Sequence, residues 1–237
     1  MSKYDELKDL FKRWKKAHKE PTRNGINVYD TIPHEKEKSI DQDSFSNDGL
    51  LNEHADKIEI LFILKESHIT NENCQADDKF WFKEVIEGKR KNGKKYYQRI
   101  KACAEVIQGE PVKWEKIAFM NINKRGGFSS TDHDTLNNYM AAYGDLIREQ
   151  IEIIAPDTIV IMGAYDLFIK AEILKVKGIP NETILFKGKT KPFRYAHTDD
   201  FGSLKTKLIY MYHPAYICSN ENYEKYFKEI WRKAKEY

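Results

Sequence analysis

LIREQIEIIAPDTIVIMG, residues 146–163, holds a helix, its stop and a buried strand within eighteen residues. Leu146, Ile147, Ile151 and Ile154 extend an apolar stripe that begins at Leu136, Tyr139 and Tyr143, the spacing of one helical face. Pro156 ends that periodicity, because proline removes a backbone donor and restricts the residue before it. TIVIM follows as a continuous apolar run closed by Gly163. A run without alternation suits a strand covered on both faces, and such strands belong to parallel sheets with helices packed on either side.

Three further runs share this character: IEILFIL at 58–64, KIAFMNI at 116–122 and KLIYMYH at 207–213. Helical patterns separate them, with Tyr97, Ile100, Ala104 and Ile107 on one face and Phe227, Ile230 and Trp231 in a last helix over about 223–235. Strand–helix alternation predicts a three-layer α/β/α sandwich around a central, mainly parallel four-stranded sheet spanning residues 56–237. TILFKGKTKPFRYAHT, 183–198, reads as a hairpin or an irregular crossover. Residues 1–55 read as an amphipathic helix (Leu7, Leu10, Phe11 and Trp14 at i, i+3, i+4, i+7) and a polar extended arm packing on the core.

Composition bounds the function only loosely. The chain has 237 residues, 41% hydrophobic and 13% aromatic, enough for a substantial folded core. Forty Lys and Arg oppose 37 Asp and Glu, so the net charge of +3 does not by itself indicate nucleic acid. KDLFKRWKKAHK (8–19) and GKRKNGKK (88–95) are local basic stretches, with a solvated face as the competing reading. Cys74, Cys103 and Cys218 lack CxxC spacing, which speaks against a structural zinc site or a disulfide framework. With no apolar signal core and no spanning run, the expectation is a cytoplasmic protein without membrane partners.

In open α/β sheets, ligands bind beyond the carboxyl ends of the strands. The residues just past each run therefore become candidates: Lys65, Glu66, Ser67 and His68; Asn121, Asn123 and Lys124; Gly163; and His213. The set holds a carboxylate, amides, histidines and bases. No phosphate-binding glycine loop, dinucleotide fingerprint or GxSxG elbow accompanies it, nor His/Asp/Glu spacing suited to a helix-borne metal. Each member also has a structural reading. His213 can be satisfied by backbone with Pro214 ending the strand, Glu66 can cap a helix or pair with Lys65, and Asn121 can hold a buried backbone group.

Three stretches resemble the uracil-DNA glycosylase superfamily, particularly the branch related to its iron–sulfur members. YHPAY (212–216) is similar to that branch's last motif, IAFMNINK (117–124) to its middle one, and LIREQIEIIAPDTIVIMG to the helix, Pro, strand and Gly between them. The likeness covers roughly 56–235. FILKESHIT (62–70) departs from the first motif by lacking its Gly and Pro, and the four cluster thiolates are missing. The resemblance implies a glycosylase-like fold and DNA as partner. It further implies hydrolysis of the N-glycosidic bond of a flipped uracil or other deaminated base, without cofactor or metal, by a monomer. In it Asn121 reads the base edge and His213 donates to a base carbonyl. By position Glu66 or Ser67 stands where that family orients water, and Glu66 by its own chemistry orients water or stabilises the cationic sugar. Phe80 or Trp81 stacks on the base or packs in the core, and Lys124, Arg125 and Lys65 face phosphates. Two alternatives stand beside it: a glycosylase-fold module that binds nucleic acid or modified bases without cleavage, and a hydrolase of small nucleosides.

Overall fold

The computed structural model describes residues 1–35, 38–40, 43–68, 81–89, 94–128, 130–177, 182–186, 189–193, 195–198 and 206–236. Its main strands are β1 (Ile60–His68), β2 (Ile117–Gly127), β3 (Thr158–Met162), β4 (Val176–Lys177), β5 (Tyr195–Thr198) and β6 (Thr206–Met211). Its helices are α1 (Lys3–Ala17), α2 (Trp81–Ile86), α3 (Lys94–Gln108), α4 (His133–Ile154), α5 (Tyr165–Lys170) and α6 (Asn220–Glu236).

Successive side chains of a strand point to opposite faces, and β1 shows what that does here. Leu61 and Ile63 enter a cluster with Leu10 and Trp14 of α1, Leu136 to Ile154 of α4, and Phe168 of α5. Ile60, Phe62 and Leu64 enter the opposite cluster with Ile100 and Ala104 of α3 and Tyr223 to Ala234 of α6. The unbroken apolar run thus feeds two cores at once, and the molecule is a helix–sheet–helix sandwich. α4 ends as its sequence requires: Ala155 takes a left-handed conformation with its N–H on Ile151 O, and Pro156 prevents another turn.

The strands are ordered β2-β1-β3-β6-β5-β4. β1 is parallel to β2 and β3, and β6 is parallel to β3. The four runs expected from sequence therefore form the parallel centre, but the expectation of a four-stranded sheet is corrected. Among the described residues β5 and the two-residue β4 add an antiparallel edge, giving six strands. Both are too short to leave a continuous apolar run. The hairpin expected within 183–198 is present between Glu182–Phe186 and Lys189–Phe193, followed by β5 as a separate strand.

The N-terminal region is continuous with this core. α1 buries Leu7, Leu10, Trp14 and Ala17, after which the chain forms short ribbons and a 3-10 turn, Val28–Thr31. Residues 46–51 then run along the outer edge of β2. Ser46 N–H donates to Lys124 O, Phe119 N–H to Gly49 O and Leu51 N–H to Ile117 O, with an antiparallel bridge between Leu50 and Ala118. The arm closes an edge that would otherwise be open to foreign strands.

The chain leaves β1 toward β2 on one side and leaves β3 toward β6 on the other. The reversal places a switch point between the carboxyl ends of β1 and β3, where such sheets open a crevice. Asn121, Lys65 to Ser67, Gly163 and His213 follow one another along this edge.

Candidate active site at the carboxyl ends of the strands

His213 lies two residues past the end of β6. Gly163, at the end of β3, has φ +84°, and a Cβ there would lie 3.0 Å from His213 Cβ. The left-handed backbone and the closeness of the imidazole both require glycine. The ring lies edge-on to Tyr96 of α3, with centroids 5.3 Å apart, and Tyr96 Oη is 3.4 and 3.3 Å from its two nitrogens. A hydroxyl almost equidistant from both nitrogens lines up with neither, so Tyr96 buttresses the ring more than it sets its tautomer. Ala215 N–H donates to Nδ1 at 3.3 Å. Burial, aided by the charge of Lys65, lowers the His213 pKa to about 4, so the ring is neutral near pH 7. A neutral imidazole accepting at Nδ1 carries its proton on Nε2. His213 is thus arranged as a hydrogen-bond donor.

The loop bearing His213 is clamped by a cation. Arg99 of α3 is 1% exposed, yet its guanidinium donates to Pro214 O (2.8 Å), Tyr216 O (2.7 Å), Asn220 Oδ1 (3.0 Å) and Cys218 O, and stacks over Tyr223. The planar fork meets several loop acceptors at once, a geometry a point charge does not reproduce.

Glu66 projects from β1, across from Asn123 of β2. Burial raises its pKa to about 7, against the lowering effects of a hydrogen bond from Thr131 and the charge of Lys65. Its side chain lies on Gly127, where a Cβ would overlap Cδ and stand 2.7 Å from Oε1. Lys65, half-buried, has its pKa lowered by burial, with Glu66 opposing. It acts electrostatically on both Glu66 and His213.

Asn121 is held from the other side. Its backbone N–H donates to Asp48 Oδ2 at 2.7 Å, and its Nδ2 to Asp48 Oδ2 at 3.2 Å and Ser67 Oγ at 3.0 Å. Ser67 Oγ is also 3.4 Å from Ser46 Oγ. Ser67 Oγ therefore helps to place Asn121, and its hydroxyl keeps a donor for a further partner. Asp48 Oδ1 in turn takes Lys124 Nζ and Gln150 Nε2 (3.1 Å).

Two phosphate contacts expected from sequence are corrected by position. Lys124 is fully buried, ion-paired to Asp48 with its ammonium facing the rings of Trp14 and Phe11. Arg125 is equally buried, donating to His18 O (3.1 Å) and Tyr143 Oη (3.3 Å). Both bases are thus closed to solvent against the N-terminal helix and the residue that caps it. Phe80 lies outside the described residues. Trp81 opens α2, with its side chain likewise outside them, and the neighbouring Phe82 stacks on Phe119 within the core at 3.8 Å between centroids.

Sequence reasoning missed Tyr96, Arg99 and Asp48. Arg99 had a signal, a lone cation among the apolar residues of its helical face. Asp48 had none, since it comes from the polar arm. A scan against protein-family models finds no match to this chain, and a search of curated proteins finds none either.

Proposed function

We propose that the protein hydrolyses the N-glycosidic bond of a deaminated base flipped out of DNA. The observation that carries this reading is a neutral, donor-ready His213 and a Glu66 held at about pKa 7 on one strand-end edge. A carboxylate poised near neutrality suits proton transfer to or from water, and a preorganised donor suits charge that develops on a leaving group.

In the reaction the bond from C1′ to the base nitrogen breaks and the base keeps the electron pair. Nε2–H of His213 donates to the base carbonyl as its oxygen gains charge. Glu66 in its ionised form orients water toward C1′ and takes a proton as the new C–O bond forms. Asn121 offers Oδ1 to the base edge. Lys65, the remaining basic candidate at this edge, supplies positive potential to the anionic base and the adjoining phosphate.

The test is base release from labelled single- and double-stranded oligonucleotides containing uracil, hypoxanthine, xanthine or mismatched thymine. Release of one base by the wild type, lost in His213→Ala and Glu66→Gln, supports the reading. Intact, salt-dependent binding without release of any base makes the protein a binding module instead. Turnover confined to free nucleosides makes it a small-molecule hydrolase.

A further inference from the structure

We propose that Asp48, a residue of the N-terminal arm, sets the base specificity of the site by fixing which end of the Asn121 amide faces the substrate. This rests on the glycosylase reading and goes beyond it by assigning discrimination to a residue outside the strand ends.

An amide has a donor end and an acceptor end of nearly equal shape, so its sense is set by its partners. Asn121 Nδ2 has two. Ser67 Oγ, 3.0 Å away, is indifferent, because a hydroxyl donates or accepts as required. Asp48 Oδ2, 3.2 Å away, is not, because an ionised carboxylate only accepts. Turning the amide over would set Oδ1 against that oxygen and lose a charge-assisted bond. Asp48 is itself immobilised: it is 4% exposed, accepts the Asn121 backbone N–H at 2.7 Å, and is held at Oδ1 by Lys124 and Gln150. Its backbone belongs to the segment bonded along the edge of β2.

The consequence is that Oδ1 faces outward, and no described residue donates to it. An outward acceptor pairs with a ring N–H. Uracil carries an N–H at N3 and hypoxanthine one at N1, whereas cytosine and adenine present lone pairs at those positions. The locked amide therefore accepts uracil and hypoxanthine and repels cytosine and adenine. The discrimination arises from an unpaired, repulsive arrangement with the wrong base as much as from attraction to the right one.

Asparagine at position 48 keeps the shape but can donate or accept, which frees the Asn121 amide to turn. Since Asp48→Asn leaves Lys124 buried without its counter-ion, the experiment pairs it with a second variant, Asp48→Asn combined with Lys124→Met. Two quantities are read on the full chain: solvent exchange of the Asn121 side-chain amide protons by NMR, and the ratio of uracil to cytosine release from matched oligonucleotides. The wild type is expected to show slowly exchanging amide protons. The folded variant is expected to lose that protection and to narrow the uracil-to-cytosine ratio by about tenfold or more, the scale of one charged hydrogen bond. An unchanged ratio in a folded, active variant overturns the role of Asp48 alone, as does fast exchange in the wild type. A wild type with protected amide protons that neither releases nor binds uracil overturns the glycosylase reading, and the specificity role with it.

Discussion

Glu66 and His213 are displaced in opposite directions by the same cause, burial without a full complement of partners. The sign of each effect on stability follows. Glu66 holds its proton more tightly when folded, with a pKa of about 7 against an ordinary 4.5. Its favourable contribution is complete below pH 4.5 and is lost as pH rises through 7. His213, at about 4 against 6.5, contributes above 6.5 and loses that contribution as pH falls through 4. Glu66→Gln removes a charge that the fold resists, so it should raise Tm at pH 8, by a stabilisation of no more than about 3 kcal/mol, and have little effect at pH 4.5. Thermal melts of both proteins across pH 4.5–8 check this. A Tm difference that does not vary with pH would sink it. Base release should run the other way, rising with pH through about 7 as Glu66 ionises and vanishing in the variant, an exchange of stability for function common at active sites. Glu66, His213 and Asn121 were all legible as candidates because each ends an apolar run. Their states were not legible, because burial is a property of the packed neighbours. Gly127 gave no sign in the sequence that it makes room for the Glu66 side chain.

At the scale of elements, the loop from His213 to Ser219 is the part that α3 controls. Arg99 satisfies the carbonyls of Pro214, Tyr216 and Cys218 together. Arg99→Lys keeps the charge but loses the fork, and it should loosen the loop and let the His213 ring meet water. The expected result is a His213 pKa moving from about 4 toward 6.5, followed by NMR titration of the ring. A titration superimposable on the wild type would show that the loop holds itself. The same loop carries Ile217, which is 88% exposed. On the glycosylase reading proposed above, this exposed apolar side chain, four residues past His213, would be the one to wedge between base steps and fill the space left by a flipped nucleotide. Ile217→Ser should therefore lower release from duplex at least several-fold more than from single strands, which need no unstacking of a partner. Equal losses on both substrates would remove the wedge. The sequence revealed α3 and the strand end as separate elements, through their 3.6-residue and continuous apolar patterns. Their attachment to each other rests on an arginine that periodicity treats as an exception.

The whole molecule joins two regions that the sequence separates. Apolar periodicity divides the chain near residue 55, because the polar arm has no run of its own. In three dimensions that arm covers the edge of β2, and Asp48 enters between Asn121 and Lys124. α1 covers the resulting ion pair with Trp14 and Phe11. A buried pair of this kind adds little over an apolar replacement, but breaking it by removing one partner costs about 3–5 kcal/mol. Removing the arm does more, since it takes away Asp48 and exposes Lys124 together with the faces that Leu7, Leu10 and Trp14 cover. Each such side chain is worth about 1.5–3 kcal/mol of burial, and the sum is comparable to the whole stability of a domain, about 5–15 kcal/mol. A chain beginning at residue 56 should therefore lack a cooperative melt and the near-UV circular dichroism of fixed aromatic side chains, while retaining some helix in the far-UV. Asp48→Asn with Lys124→Met, which removes both charges and leaves α1 in place, should still melt cooperatively. If the shortened chain instead melts cooperatively near the wild-type temperature, residues 56–237 are a domain in their own right. The arm would then be an accessory, and the orientation of Asn121 would have to come from the strand ends alone.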